Sequence, residues 1–148
     1  MKTQWTALAL YLASFAGLAQ AKQETFAIDP VHTRLAFQVS HAGFSNPIAT
    51  FSGITGVLSF DEADWSTSKV DVLIPVKTLQ LGDDNWNLKI LDRTFFDADA
   101  FPEARFVSTR VAMQESGRLR VDGQLTLHGR TAPVVLEASI NEIGRAHV

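Results

Sequence analysis

Residues 119–138 read LRVDGQLTLHGRTAPVVLEA, and they decide the fold class. Leu119, Val121, Leu125 and Leu127 alternate with Arg120, Asp122, Gln124 and Thr126, the period of two that gives a strand one apolar and one polar face. His128-Gly129-Arg130 is turn chemistry, and Val134, Leu136, Ala138 and Ile140 resume the alternation beyond it. The stretch is therefore a β-hairpin with one apolar face. Such a face needs a second apolar layer to cover it.

The same pattern recurs upstream. Val31, Leu35, Phe37 and Val39 are expected on one face, with Arg34, Gln38 and Ser40 on the other, and Val70, Val72 and Ile74 alternate with Asp71 and Leu73. Turn formers separate these runs at Ser45-Asn46-Pro47, Asp61-Glu62-Ala63-Asp64 and Glu115-Ser116-Gly117. Short strands of this kind predict an all-β antiparallel barrel or sandwich. One segment departs from it: Asp83 or Asp84 can cap a short helix over residues 84–91, with Trp86, Ile90 and Leu91 on one face. Phe95-Phe96-Asp97 to Phe101-Pro102 then reads as a compact loop or turn plugging one end of the sheet. No repeat or linker argues for a second domain.

A chain of 148 residues, 46% apolar and 20% charged, has ordinary globular composition. Residues 1–21 read as a secretory signal peptide: Lys2, an apolar stretch over residues 5–18 (WTALALYLASFAGL), and Ala19-Gln20-Ala21 before Lys22. The apolar stretch is shorter than the roughly 20 residues a bilayer-spanning helix needs. The mature chain is expected to be exported, to the periplasm in a double-membraned bacterium, with no stable membrane insertion after cleavage. It carries 12 basic against 16 acidic residues once Lys2 is removed, which offers no footprint for nucleic acid. The absence of Cys excludes disulfides, thiolate catalysis and cysteine-ligated metal.

Catalytic signatures are thin: there is no GxSxG, no HExxH and no Gly-rich phosphate loop. His32, His41 and His128, with Asp29, are the candidates for a metal or acid–base site, but their spacing does not bring them together on one strand face. Each reads better as a strand-end hydrogen-bonding residue. Asp83-Asp84 and Asp97/Asp99 read as caps and turn formers rather than paired catalytic carboxylates. No metal, cofactor or enzymatic activity is expected.

Several motifs in order carry a resemblance to the YceI-like family of periplasmic lipid-binding proteins. They are Phe26-Ala27-Ile28-Asp29-Pro30-Val31-His32-Thr33, Phe37-Gln38-Val39-Ser40-His41, Phe51-Ser52-Gly53, Phe95-Phe96-Asp97 to Phe101-Pro102, Phe106-Val107-Ser108, and Leu125-Thr126-Leu127-His128-Gly129-Arg130-Thr131-Ala132-Pro133-Val134. The resemblance implies an antiparallel lipocalin-like β-barrel whose apolar tunnel holds an isoprenoid chain, such as a polyprenyl phosphate or a quinone tail. The chain departs from the family at Asp83-Asp84-Asn85-Trp86-Asn87-Leu88, where many members carry an Arg-Asp-x-His-Leu stretch. It also stops where members continue, so the barrel is expected to be incomplete, its closing strands missing. On this reading residues 22–142 are the barrel domain and residues 143–148 a non-native tail.

If the interior is one parity of each strand, the ligand-binding wall is expected to comprise Leu35, Phe37, Val39, Leu58, Phe60, Val70, Val72, Ile74, Val121, Leu125 and Leu127. The function implied is a carrier of isoprenoid lipid. The alternatives are a partner or regulator of a membrane redox protein, in transient contact with it or with the membrane, and the His/Asp site above.

Overall fold

The computed structural model describes residues 23–61 and 63–141. The signal peptide (residues 1–21) and the tail (residues 143–148) read in the sequence lie outside the described residues. Eight strands form: β1 Glu24–Ala27, β2 Leu35–Gln38, β3 Ile48–Phe51, β4 Thr55–Phe60, β5 Lys69–Pro75, β6 Glu103–Met113, β7 Leu119–Leu127 and β8 Arg130–Ala138, with one helix, α1 Asp84–Leu91, between β5 and β6. Six of them make an antiparallel sheet in the order β1-β4-β5-β6-β7-β8, and β2 and β3 pair separately. The large sheet does not close on itself: β1 and β8 are its edges.

The hairpin read from residues 119–138 is present, with Leu119 opposite Ala138 and Leu127 opposite Arg130. Its turn holds His128 at φ 50° and Gly129 at φ 68°. Two successive positive φ values match the right-handed twist of the flanking strands, the reason such turns favour residues tolerant of that region. The register of β6 against β7 shifts between Ser108 and Arg110. This irregularity changes parity, so that Ala104, Phe106 and Val111 are all buried although 106 and 111 are an odd number of residues apart. Ser108 Oγ meanwhile accepts the Val70 amide at 2.8 Å, extending the β5–β6 contact beyond the last backbone pair.

Buried apolar residues gather into two clusters. One contains Ala49, Phe51, Ile54, Ile74, Val76, Leu79, Ala98 and Ala104; the other contains Phe106, Val111, Leu119 and Val121. The β2–β3 pair covers the first cluster. Phe37 stacks on Phe51 at 5.6 Å between ring centres, and Phe51 meets Phe96 edge-on at 5.9 Å. Reciprocal bonds of 2.9 Å between the Thr50 and Gln80 backbones tie this pair to the chain leaving β5. Phe96 and Ala98 bring the Phe-rich loop against the same cluster, as a plug at this end.

Val31 departs from the expectation. It is 65% exposed, in a turn before β2 rather than on the face of Leu35 and Phe37. The Asp29 carboxylate accepts the Val31 amide at 2.8 Å, and this local bond beside Pro30 bends the chain before the strand begins. Helix α1 forms where the cap signal put it. Asp83 Oδ1 accepts the Trp86 amide at 2.9 Å.

The outer face of the sheet carries the charge. Arg105 Nε donates to Asp71 Oδ1 at 2.8 Å with a second bond from Nη2, and this hydrogen-bonded pair holds the Asp71 carboxyl below its ordinary value. A carboxyl whose folded pKa is depressed stabilises the fold above its unfolded value and loses that contribution as pH falls toward the folded one. The pair is largely solvent-screened, so its contribution to stability is small. Asp71→Asn should therefore lower the urea midpoint slightly at pH 7, and the difference from the parent protein should shrink below about pH 4, where the unfolded carboxyl protonates. An equal gap at both pH values would show that the bond, not the charge, is what matters.

Candidate functional site: an apolar cavity

The inner parity of the sheet surrounds a cavity of about 540 Å³. Phe26 and Ile28 enter it from β1 and the residue after it, Leu58 and Phe60 from β4, Val70 from β5, Val111 from β6, Leu119 and Val121 from β7, and Leu136 and Ala138 from β8. Both edges of the open sheet thus face the same space. Ser139, Ile140 and Asn141 complete the lining where the chain leaves β8.

Trp65 reaches the cavity from the turn between β4 and β5. Asp64 Oδ1 accepts the Ser66 amide at 3.0 Å and Asp64 O the Thr67 amide at 3.2 Å, winding residues 65–67 into one helical turn. The Ser66 hydroxyl, which donates to Asp64 Oδ1 at 2.6 Å, and after it the Ser66 amide hold the Asp64 carboxyl below its ordinary value. The indole then lies nearly parallel to Phe60 at 5.4 Å, and Phe60 stacks on Phe26 at 5.2 Å. This row of three rings makes one side of the wall.

None of the lining residues is titratable. Ser68, Ser139 and Asn141 are the polar members of an otherwise apolar lining; Ser68 is 7% exposed, and among the described residues its Oγ has no hydrogen-bond partner. A buried hydroxyl without a partner costs about 1–3 kcal/mol, and a ligand oxygen within reach would recover it.

A second set of hollows lies toward the β2–β3 end. Leu35, Phe37, Phe51, Ile74, Val76, Phe96, Ala104, Leu125 and Leu127 enclose about 220 Å³. Phe37, Phe96 and Leu127 also line an adjoining hollow of about 370 Å³ with Val39, Leu81, Trp86, Ile90, Phe95 and His128. Val39, Trp86, Ile90 and Phe95 lead on to a cleft with Ser40, His41, Asp83 and Lys89 at its sides.

The residues expected to form one tunnel wall are distributed over these spaces. Leu58, Phe60, Val70 and Val121 line the large cavity; Leu35, Phe37, Ile74, Leu125 and Leu127 line the second; Val39 lies in the adjoining hollow and cleft. Val72 lines none of them and packs, half-buried, against the first core cluster. Sequence reading passed over Phe26, Ile28, Trp65, Ser68, Val111, Leu119, Leu136 and Ala138 as wall residues. Leu119, Leu136 and Ala138 carried the alternation signal already. Val111 was hidden by the parity change, and Trp65 and Ser68 by lying outside any alternating run.

The histidines do not converge on one centre. His32 Nδ1 sits 2.7 Å from Asp29 Oδ2, on the exposed surface, and this bond is the main cause holding Asp29 below its ordinary value. His41 and Trp86 lie T-shaped at 5.6 Å between ring centres, and His128 and Phe101 likewise at 4.8 Å. Among the described residues no group of three or more His, Asp or Glu could hold a metal ion.

An antiparallel β-sheet curled around an uncharged cavity, with a short helix and a Phe-rich plug at one end, is the architecture of a small β-barrel left open along one seam. The chain belongs to the YceI-like domain family, which matches residues 26–147. It is 37% identical over 133 residues to a UPF0312 protein of Vibrio parahaemolyticus, covering 90% of this chain and 70% of that one. A UPF0312 protein of Pseudomonas savastanoi is 35% identical over 146 residues, covering 98% and 76%. The crystal structure of Burkholderia cenocepacia BcnA superposes with a TM-score of 0.69 at 25% identity, over 75% of this chain and 70% of that one.

The position of Trp86 and Ile90 in the second set of hollows depends on Asn87 between them. Asn87 is buried, its Oδ1 accepts the Leu81 amide at 2.7 Å, and its Nδ2 donates to Gln80 Oε1 at 3.1 Å. Asn87→Ala should cost about 1–3 kcal/mol of stability, because the half-buried Leu81 amide loses its acceptor. Chemical denaturation would measure this. Asn85→Ala, exposed on the same helix, should change stability by less than about 0.5 kcal/mol.

Proposed function

We propose that the protein is a non-enzymatic carrier that holds the hydrocarbon tail of an isoprenoid lipid, a polyprenyl phosphate or a respiratory quinone, in its apolar interior. The observation that carries this reading is the large cavity. Its volume of about 540 Å³ falls within the roughly 300–1,000 Å³ typical of small-molecule sites, and its walls are apolar apart from the unpaired Ser68 hydroxyl and, where the chain leaves β8, Ser139 and Asn141. Each CH₂ moved from water into such a space gains about 0.8 kcal/mol, so a tail of several isoprene units binds without any reaction being needed. Among the described residues no cationic side chain lines the cavity to pair with an ionised phosphate, and burying a charge without one is prohibitive. A charged head group would therefore stay at the rim while the tail enters, and a neutral oxygen can bond Ser68 Oγ.

The proposal places the carrier in the periplasm on the strength of residues 1–21. The exported protein should begin at Lys22, and N-terminal sequencing that found Met1 would refute the export step.

Binding is tested by a pair of neighbours on β4 that face opposite ways. Leu58 lines the cavity, while Val57 is 46% exposed. Leu58→Asp should weaken the binding of a fluorescent prenol at least tenfold, and Val57→Asp should leave it within about twofold. Native mass spectrometry of the parent protein from its own periplasm should find an isoprenoid mass retained. Equal loss in both variants, or no retained lipid, would overturn the reading.

A further inference from the structure

The large cavity and the second cavity share no lining residue, although both lie on the inner face of the same strands. Along β5, Val70 faces the first and Ile74 the second, with Val72 between; along β7, Val121 faces the first and Leu125 the second, with Gly123 between. On β6 the residue at this middle level is Phe106, paired opposite Val72 on one side and Leu125 on the other. Phe106 is 5% exposed and lines neither cavity. It belongs to the cluster of Val111, Leu119 and Val121, against which Val70, Leu125 and Val134 pack.

Gly123 explains how a ring fits at this level. A Cβ on Gly123 would stand 2.6 Å from Phe106 Cε2 and 2.7 Å from Val107 O, so the bare backbone is the seat on which the ring lies. Gly123 is the diagonal cross-strand neighbour of Phe106, within reach of an aromatic side chain. The large ring and the missing side chain are thus one fitted pair.

We propose that Phe106, seated on Gly123, is a partition that divides the interior into two compartments and sets the longest apolar chain the large cavity accepts. This rests on the carrier reading above and goes further, making chain length a property of one side chain. On this proposal a chain entering from the rim near Ser139 and Asn141 runs along the aromatic row and stops where Val70 and Val121, packed with Phe106, close the large cavity. Replacing the ring by a smaller apolar group joins the compartments and lets a longer chain pass toward Leu125 and Leu127.

The test uses straight-chain alcohols from octanol to octadecanol, competed against a solvent-sensitive fluorescent probe on the full chain. In the parent protein, affinity should rise roughly fourfold per added CH₂, the equivalent of about 0.8 kcal/mol, and then level off at a definite length. In Phe106→Leu the levelling should move to longer alcohols, with the affinity for short ones within about threefold. Phe106→Ala should move it further; thermal unfolding checks that each variant folds, and Phe106→Leu carries the test if the alanine variant does not. A crystal structure of the parent with hexadecanol should show the chain ending at the Phe106 ring. A levelling point unchanged in Phe106→Leu, or density running past the ring in the parent, overturns the partition and leaves the carrier reading standing. Failure of the parent to bind any of the alcohols overturns both.

Discussion

The parity change between Ser108 and Arg110 is the constraint on which the interior depends. Strand β6 is the longest in the sheet and pairs on both sides, so its inner face must serve both ends of the molecule. Regular alternation from Ala104 and Phe106 would send Val111 outward. One irregular step returns it inward, beside Leu119 and Val121, and adds twist where the sheet curls. The first cavity owes its wall on β6 to that step, and Phe106 just before it stands at the middle level of the interior.

Charge and cavity are kept on opposite faces of the same strands. Asp71 and Arg105 pair on the outside of β5 and β6, Arg120 donates to Asp122 at 2.7 Å along the outside of β7, and Arg118 approaches Glu137 across β7 and β8. Inside, no titratable side chain among the described residues lines the large cavity. Surface pairs of this kind contribute little stability, but they make an inverted register costly, since a one-residue slip would bury every one of them. The same alternation that solubilises the outer face leaves the interior apolar.

The open seam between β1 and β8 belongs to the same picture. Both edge strands contribute apolar residues to the large cavity, Phe26 from one and Leu136 with Ala138 from the other. Phe26 and Leu136 remain 37% and 43% exposed, which a closed wall would not allow.

Much of this was legible in residues alone. The alternation of Leu119, Val121, Leu125 and Leu127, the turn at His128-Gly129 and the cap at Asp83 are local signals, written within a few positions of the structure they produce. They determined an antiparallel β fold with one helix and an apolar inner face, and the ordered motifs determined the family. What only the tertiary structure decided is non-local or breaks the period: the bend that takes Val31 off its strand, the step that turns Val111 inward, the arrival of Trp65 and Ser68 from a turn, and the seat that Gly123 offers to Phe106. Period-two reading assigns a face to each residue but says nothing of depth along the barrel. Depth depends on register between strands and on which ring meets which bare backbone, and those are fixed only when the strands pair.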